Sequence, residues 1–301
     1  MPHNISRRSV LAALLAAPVT ACAAKPTPAA RSGPAAPQAE LDPELAELER
    51  RYDARLGLHA RNAATGRTLT NRPDERFAMC STFKAYAAGA LLRSRGLAGG
   101  YFDRVIHYRR QDLVEYSPIT ETRVDTGMSV AQLCAAALQH SDNTAGNLML
   151  RELGGPSAIA PFARALGDDE TRLDRWETEL NSAVPGDPRD TTTPAAFATG
   201  LGALLLGDAL GAPERARLTE WMLGNTTGDE RIRAGLPPGW RTADKTGGGS
   251  AYGVANDVAV TWTHAGVPIV LTVFSRRPRA HDEADDALVA EAARVAVERL
   301  T

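Results

Sequence analysis

The sequence predicts an α+β fold: an antiparallel sheet flanked by N- and C-terminal helices, with an all-helical domain inserted between its strands. Three observations predict it. Strand-like segments occur only toward the two ends of the folded region, helical periodicity fills the middle, and an amphipathic helix stands at each end. The 301 residues, 44% hydrophobic and 23% charged, have ordinary globular composition and suffice for one large domain or two small ones around a buried core. With 34 Lys+Arg against 36 Asp+Glu, the net charge of -2 lacks the basic footprint that draws nucleic acid or an anionic membrane.

The elements follow in order. Asp42-Pro43 ahead of Glu44, Leu45, Leu48 and Tyr52 reads as a capped amphipathic helix. Leu56 to Asn62 and Arg67 to Asn71, separated by Ala63-Ala64-Thr65-Gly66, read as a hairpin. Helices are expected over Thr82 to Leu92, Ser129 to Gln139, Asn143 to Leu153 and Pro194 to Leu206. Strands return at Trp240 to Thr246, Ala255 to Thr263 and Val267 to Ser275, the last two joined through His264-Ala265-Gly266. A final helix is expected from about Asp282 to Leu300. The cleft between the two lobes is the default place for a site.

Ahead of this region, residues 1–24 read as an export signal. Arg7-Arg8 precedes an apolar run from Val10 to Ala17, too short to span a bilayer and similar to a twin-arginine signal. Val19-Thr20-Ala21-Cys22 resembles a lipobox, which would put a lipid on Cys22; simple cleavage beside Ala21-Cys22-Ala23 is the alternative. Residues 25–40, rich in Ala, Pro, Ser and Gly, are expected to form a disordered tether. Cys80 and Cys134 are the two cysteines of the folded part: one bridge between them is conceivable, and buried thiols acting as small apolar groups are favoured.

The chemistry begins with lysine usage. Of the 34 basic residues, 3 are lysines, Lys25, Lys84 and Lys245, so a lysine retained in an arginine-biased chain points to a need for a compact ammonium or a titratable amine. Ser81-Thr82-Phe83-Lys84 opens a helix and puts a hydroxyl and an amine on one face. A serine attacks only when a base takes its proton, and a desolvated lysine can be that base. Ser141-Asp142-Asn143 precedes another helix, where an N-cap cluster is the plain reading, and Lys245-Thr246-Gly247 ends a strand, where a turn is. Taken alone, each motif is weak. Both lysines of the folded region nevertheless fall inside these short motifs.

The three motifs in this order resemble those of the class A serine β-lactamases. The likeness covers residues 41–301 and includes Leu113 to Pro118 and Arg172 to Asn181. Behind the export signal (1–24) and the tether (25–40) read from their own composition, it implies a catalytic domain (41–301), with an α/β lobe from about 41–72 and 226–301 and a helical lobe from about 73–225. It implies that Ser81 attacks the lactam carbonyl and becomes the ester, its own N–H and that of Gly248 forming the oxyanion hole. Lys84 sits beside Ser81; whether it or Glu177, acting through water, takes the first proton stays open. By the same resemblance Ser141 would relay a proton to the departing nitrogen, while Glu177 would activate the hydrolytic water that Asn181 helps to hold. Tyr116 would line the entrance and Asn143 would meet the substrate amide. Lys245 and Thr246 would bind the carboxylate and orient Ser141, with Gly247 and Gly248 completing the substrate-binding set. Arg172 and Asp190 are expected to pair across the neck of the loop carrying Glu177.

Some positions depart from the pattern. Gly253-Val254-Ala255 lacks the arginine that many relatives use for the carboxylate, and Arg231 matches the substitute position. Gly248-Gly249-Ser250 holds no cysteine to bridge Cys80, so the resemblance lends no support to carbapenem hydrolysis; Ala88 likewise leaves Cys134 without the family partner. No cofactor or metal is expected, because the histidines of the folded part are scattered without zinc-ligand spacing. The expected partner is a small β-lactam, the expected state a monomer, and the expected location periplasmic, secreted or lipid-anchored outside the membrane. A D-alanyl-D-alanine peptidase and a non-turnover β-lactam sensor are the alternatives, and Glu177 argues against both.

Overall fold

Asp42 starts the first element: its carboxylate accepts the N–H groups of Glu44 and Leu45, and Pro43 fills the first helical position. The helix it caps, α1 (Pro43–Tyr52), opens the part of the chain that the computed structural model describes, residues 41–301. The export segment 1–24, Cys22 and the tether 25–40 lie outside the described residues. Strands β1 (Arg55–Asn62) and β2 (Thr68–Asn71) form the expected hairpin. Asn62 shapes its turn by accepting the N–H groups of Ala64 and Thr65.

Short β3 (Phe77–Ala78) leads through a 3-10 turn at Cys80–Thr82 into α2 (Phe83–Arg95). Then come β4 (Val105–Ile106), β5 (Met128–Ser129), α3 (Val130–Gln139), α4 (Asn143–Leu153), α5 (Ile159–Arg164), β6 (Thr191–Thr192), α6 (Pro194–Leu205) and α7 (Ala212–Leu223). Three long strands, β7 (Arg241–Gly248), β8 (Ala255–Trp262) and β9 (Pro268–Arg276), precede α8 (Asp286–Leu300). The main sheet is antiparallel with order β2-β1-β9-β8-β7, so strands from both ends of the chain close it.

Alternation along β9 divides two cores. Ile269, Leu271 and Val273 pack with Leu45, Leu48, Leu288 and Ala292 of α1 and α8, whereas Val270 and Phe274 face the larger core built around α2, α3 and α6. Tyr86 and Phe197 stack there at 4.5 Å between ring centroids. Because α6 packs on β1 and β9, it belongs to the sheet's covering layer as well as to the helical region.

One expected boundary needs correction, and two helices were not foreseen. The last helix begins at Asp286, not Asp282: Asp285 supplies the cap by accepting the N–H of Ala287, while Asp282 is taken by Arg279. Helix α7 is unforeseen: within Ala212 to Leu223 only Leu218, Trp221 and Met222 are buried, a helical stripe confined to its second half and too short for periodicity to stand out. Helix α5 is likewise unforeseen; it is six residues long, too short for periodicity to register.

Candidate active site

The nucleophile candidate sits on a turn that the sheet holds in place. Asn256 of β8 donates from Nδ2 to the carbonyls of Ala78 and Met79, at 2.8 and 3.2 Å, anchoring the chain that enters the 3-10 turn. Cys80, next in line, has φ of 47°, a conformation costly for a residue with a Cβ and one that collects at sites where geometry is over-determined. Ser141 and Tyr116, with φ of 57° and 60°, share this property.

Ser81 and Lys84 then meet as their spacing predicts. Lys84 Nζ donates to Ser81 Oγ at 2.7 Å, to the Ser141 carbonyl at 2.8 Å and to Asn143 Oδ1 at 2.7 Å, and lies 3.0 Å from Glu177 Oε1. Both charged side chains are wholly buried. Burial lowers the Lys84 pKa and the Glu177 charge opposes that fall. A Cβ at Gly146 of α4 would come within 2.7 Å of Lys84 Cε, so glycine there makes room for the lysine.

Glu177 points inward from the loop between α5 and β6. Ser81 Oγ donates to its Oε1 at 3.0 Å, and Asn181 Nδ2 donates to its Oε2 at 2.6 Å. Its backbone is clamped by Asn147, whose Nδ2 donates to the Glu177 carbonyl at 3.0 Å and whose Oδ1 accepts the Glu177 N–H at 2.9 Å. Asn147 was not singled out from sequence; its i, i+4 spacing from Asn143 on α4 is the signal that would have found it. Removing both bonds leaves buried peptide groups unpaired, each costing about 1–3 kcal/mol. Asn147→Ala is therefore expected to lower the urea midpoint by the equivalent of about 2 kcal/mol or more and to depress turnover; an unchanged midpoint refutes the clamp.

On the opposite wall, Lys245 Nζ donates to Ser141 Oγ at 3.0 Å and to the Thr246 carbonyl at 2.8 Å. Burial, reinforced by the charge of Lys84, pulls the Lys245 pKa well below that of an ordinary lysine. Arg231 reaches the same wall: Nη1 donates to the carbonyls of Gly247 and Asn256 at 2.8 and 2.7 Å, and Nε donates to Asp286 Oδ1 at 2.8 Å. Asp142 caps α4 through the N–H of Ala145 and gathers Ile119 and Thr120, tying the Tyr116 loop to Ser141.

These side chains surround a cleft of about 400 Å³. Ser81, Tyr116, Ser141, Asn143, Asn181, Arg231, Thr246 and Gly248 line it, with Lys84, Glu177, Lys245 and Gly247 immediately behind. Tyr116 stands 57% exposed at the mouth. Thr178, Thr227 and Ser250 also line the cleft and were not anticipated. Cys80 and Cys134 are separate buried thiols, and burial raises both pKa values, so neither has thiolate character.

The expected Arg172–Asp190 pair does not form. Arg172 turns outward to Asp174, at 2.9 and 2.6 Å, while Arg175 Nε donates to Asp190 Oδ2 at 2.5 Å. The backbone N–H of Arg172 is bound to the Thr191 carbonyl, so this residue lies at the strand side of the neck. Asp190 Oδ1 instead receives the N–H groups of Asp174 and Arg175, aiming its carboxylate at the second arginine.

A serine and a buried lysine share a hydrogen bond on the first turn of a helix, with an inward carboxylate at the same oxygen and a second lysine–serine pair across a cleft. This arrangement defines a serine enzyme of acyl transfer. The comparisons agree. Residues 40–300 match the model of the beta-lactamase enzyme family. The chain is 57% identical over 257 residues to beta-lactamase FAR-1 of Nocardia farcinica, covering 85% of this chain and 82% of that one. It is 54% identical over 302 residues to beta-lactamase AST-1 of Nocardia asteroides, covering 98% and 97%. A solved β-lactamase from Desulfarculus baarsii superposes with a TM-score of 0.82 at 53% identity, covering 84% of this chain and 94% of that one. The chain belongs to the β-lactamase enzyme family and is a class A serine β-lactamase.

Proposed function

We propose that this enzyme opens the β-lactam ring of penicillins and cephalosporins through an ester at Ser81 and frees the ester with water activated by Glu177. The observation that carries the reading is the shared oxygen at Ser81: Lys84 Nζ lies 2.7 Å and Glu177 Oε1 3.0 Å from Oγ. Either group is in reach of the hydroxyl proton, and the carboxylate also stands over the atom that will bear the ester. Ser141, held by Lys245, supplies the proton that the ring nitrogen takes as it leaves. Lys245, Thr246 and Arg231 bring positive charge and a hydroxyl to the wall where the substrate carboxylate docks, while Asn143 and Tyr116 face its acyl side chain.

In this reading the enzyme works outside the bacterial membrane after twin-arginine export, with residues 25–40 as a tether and Cys22 as the lipid attachment point. Arg7-Arg8, the apolar run from Val10 and the residues before Cys22 support it.

Mixing the protein with excess penicillin and following lactam opening tests the reading. Sustained turnover is expected; a stoichiometric burst that stops would favour a peptidase-type target or a sensor instead.

A further inference from the structure

Thr227 belongs to none of the three sequence motifs, yet it stands on the carboxylate wall of the cleft beside Thr246 and Arg231. The loop that carries it presses on β7, and a Cβ at the following Gly228 would overlap Asp244 Oδ2 at 2.0 Å. Thr227 Oγ1 lies 2.5 Å from Thr246 Oγ1 and donates to Asn225 Oδ1 at 2.8 Å. Asn225 is fixed in turn, its Nδ2 donating to buried Asp244 Oδ2 at 2.6 Å and its Oδ1 also accepting the Thr227 N–H at 3.1 Å.

Two hydroxyls hold two protons, and their count sets the direction of this chain. While the Thr227 proton goes to Asn225 Oδ1, the bond between the threonines uses the Thr246 proton, and Thr246 offers the cleft only lone pairs. An arriving carboxylate requires the opposite direction. Rotation of both hydroxyls gives it: Thr227 donates to Thr246 Oγ1, Thr246 donates outward, and Asn225 Oδ1 retains the Thr227 N–H. No covalent bond changes and no proton leaves its oxygen.

We propose that Thr227 is a positioning residue for substrate recognition, reversing a two-threonine hydrogen-bond chain so that Thr246 becomes a donor to the carboxylate of an entering β-lactam. The proposal rests on the β-lactam reading of the cleft. A chain of aligned hydroxyls polarises its last member, so the outward bond is stronger than Thr246 alone would make.

The test compares the unaltered protein, Thr227→Val and Thr227→Ser on benzylpenicillin and on its methyl ester, in which the anionic acceptor is capped. Sustained hydrolysis of benzylpenicillin by the unaltered protein upholds the enzyme reading whatever the variants do. Thr227→Val is expected to raise KM for the acid about fivefold, the scale of one net hydrogen bond, with kcat within about twofold. Thr227→Ser is expected to restore KM, and kcat/KM for the ester is expected to be alike in all three proteins. An unchanged or lower KM for the acid in Thr227→Val overturns the proposal, as does a parallel loss for acid and ester or a failure of serine to rescue.

Discussion

Replacing Glu177 with alanine is expected to leave a protein that opens one lactam per molecule in a burst and then turns over only slowly, its mass raised by that of the intact penicillin on Ser81. The carboxylate touches Ser81 Oγ through one oxygen and is fixed by Asn181 through the other, so its loss removes the base nearest the ester. A positioned general base contributes about 10²- to 10⁴-fold, or roughly 3 to 5 kcal/mol of barrier, and kcat is expected to fall by that factor. Acylation survives for an electrostatic reason. The Glu177 charge holds the Lys84 pKa up against burial. Removing it lets the pKa fall, so more of the amine is neutral at a given pH and able to take the Ser81 proton. Intact-protein mass spectrometry after brief exposure to excess penicillin checks both halves. No adduct would reject the role of Glu177 in deacylation, and unaltered steady-state turnover would reject it independently.

What could be read ahead of the structure follows from the range over which each contact acts. Ser81 and Lys84 are three residues apart on one helical turn, so local geometry alone brings them together, and the hairpin, α3, α4 and the closing strands obey short-range periodicity. Glu177 and Asn181 could be nominated only through the family likeness, because nothing within their loop says that it folds back 96 residues onto Ser81. Asn256 supporting the Ala78 and Met79 carbonyls, Asn147 clamping the Glu177 backbone, and Thr227 meeting Thr246 are all contacts between elements. Their partners are chosen by packing, and packing leaves no period in the sequence. The misplaced loop pair has the same origin. Two arginines three residues apart both offer a guanidinium to Asp190, and the backbone bonds at the neck decide between them.

That choice separates Arg175 from Arg172 by experiment. Asp190 has no exposed side-chain surface, and the Arg175 side chain is 17% exposed, so Arg175→Ala strands a carboxylate in the interior. Breaking a buried pair costs about 3–5 kcal/mol, and the two N–H groups that Asp190 retains argue for the lower end, about 3 kcal/mol. Arg172 and Asp174 face solvent, and Arg172→Ala is expected to cost at most about 1 kcal/mol. The larger effect carries into catalysis, because residues 175–190 hold both Glu177 and Asn181, and a loosened neck lets the clamp on the carboxylate open. Arg175→Ala is therefore expected to lose penicillin turnover disproportionately, while a bulky cephalosporin, for which the relaxed loop clears space, loses less or gains. Urea midpoints and kcat/KM for the two substrate classes distinguish the variants. Equal destabilisation by the two substitutions, or a parallel loss on both substrates in Arg175→Ala, would mean that the Arg175–Asp190 pair does not govern the loop.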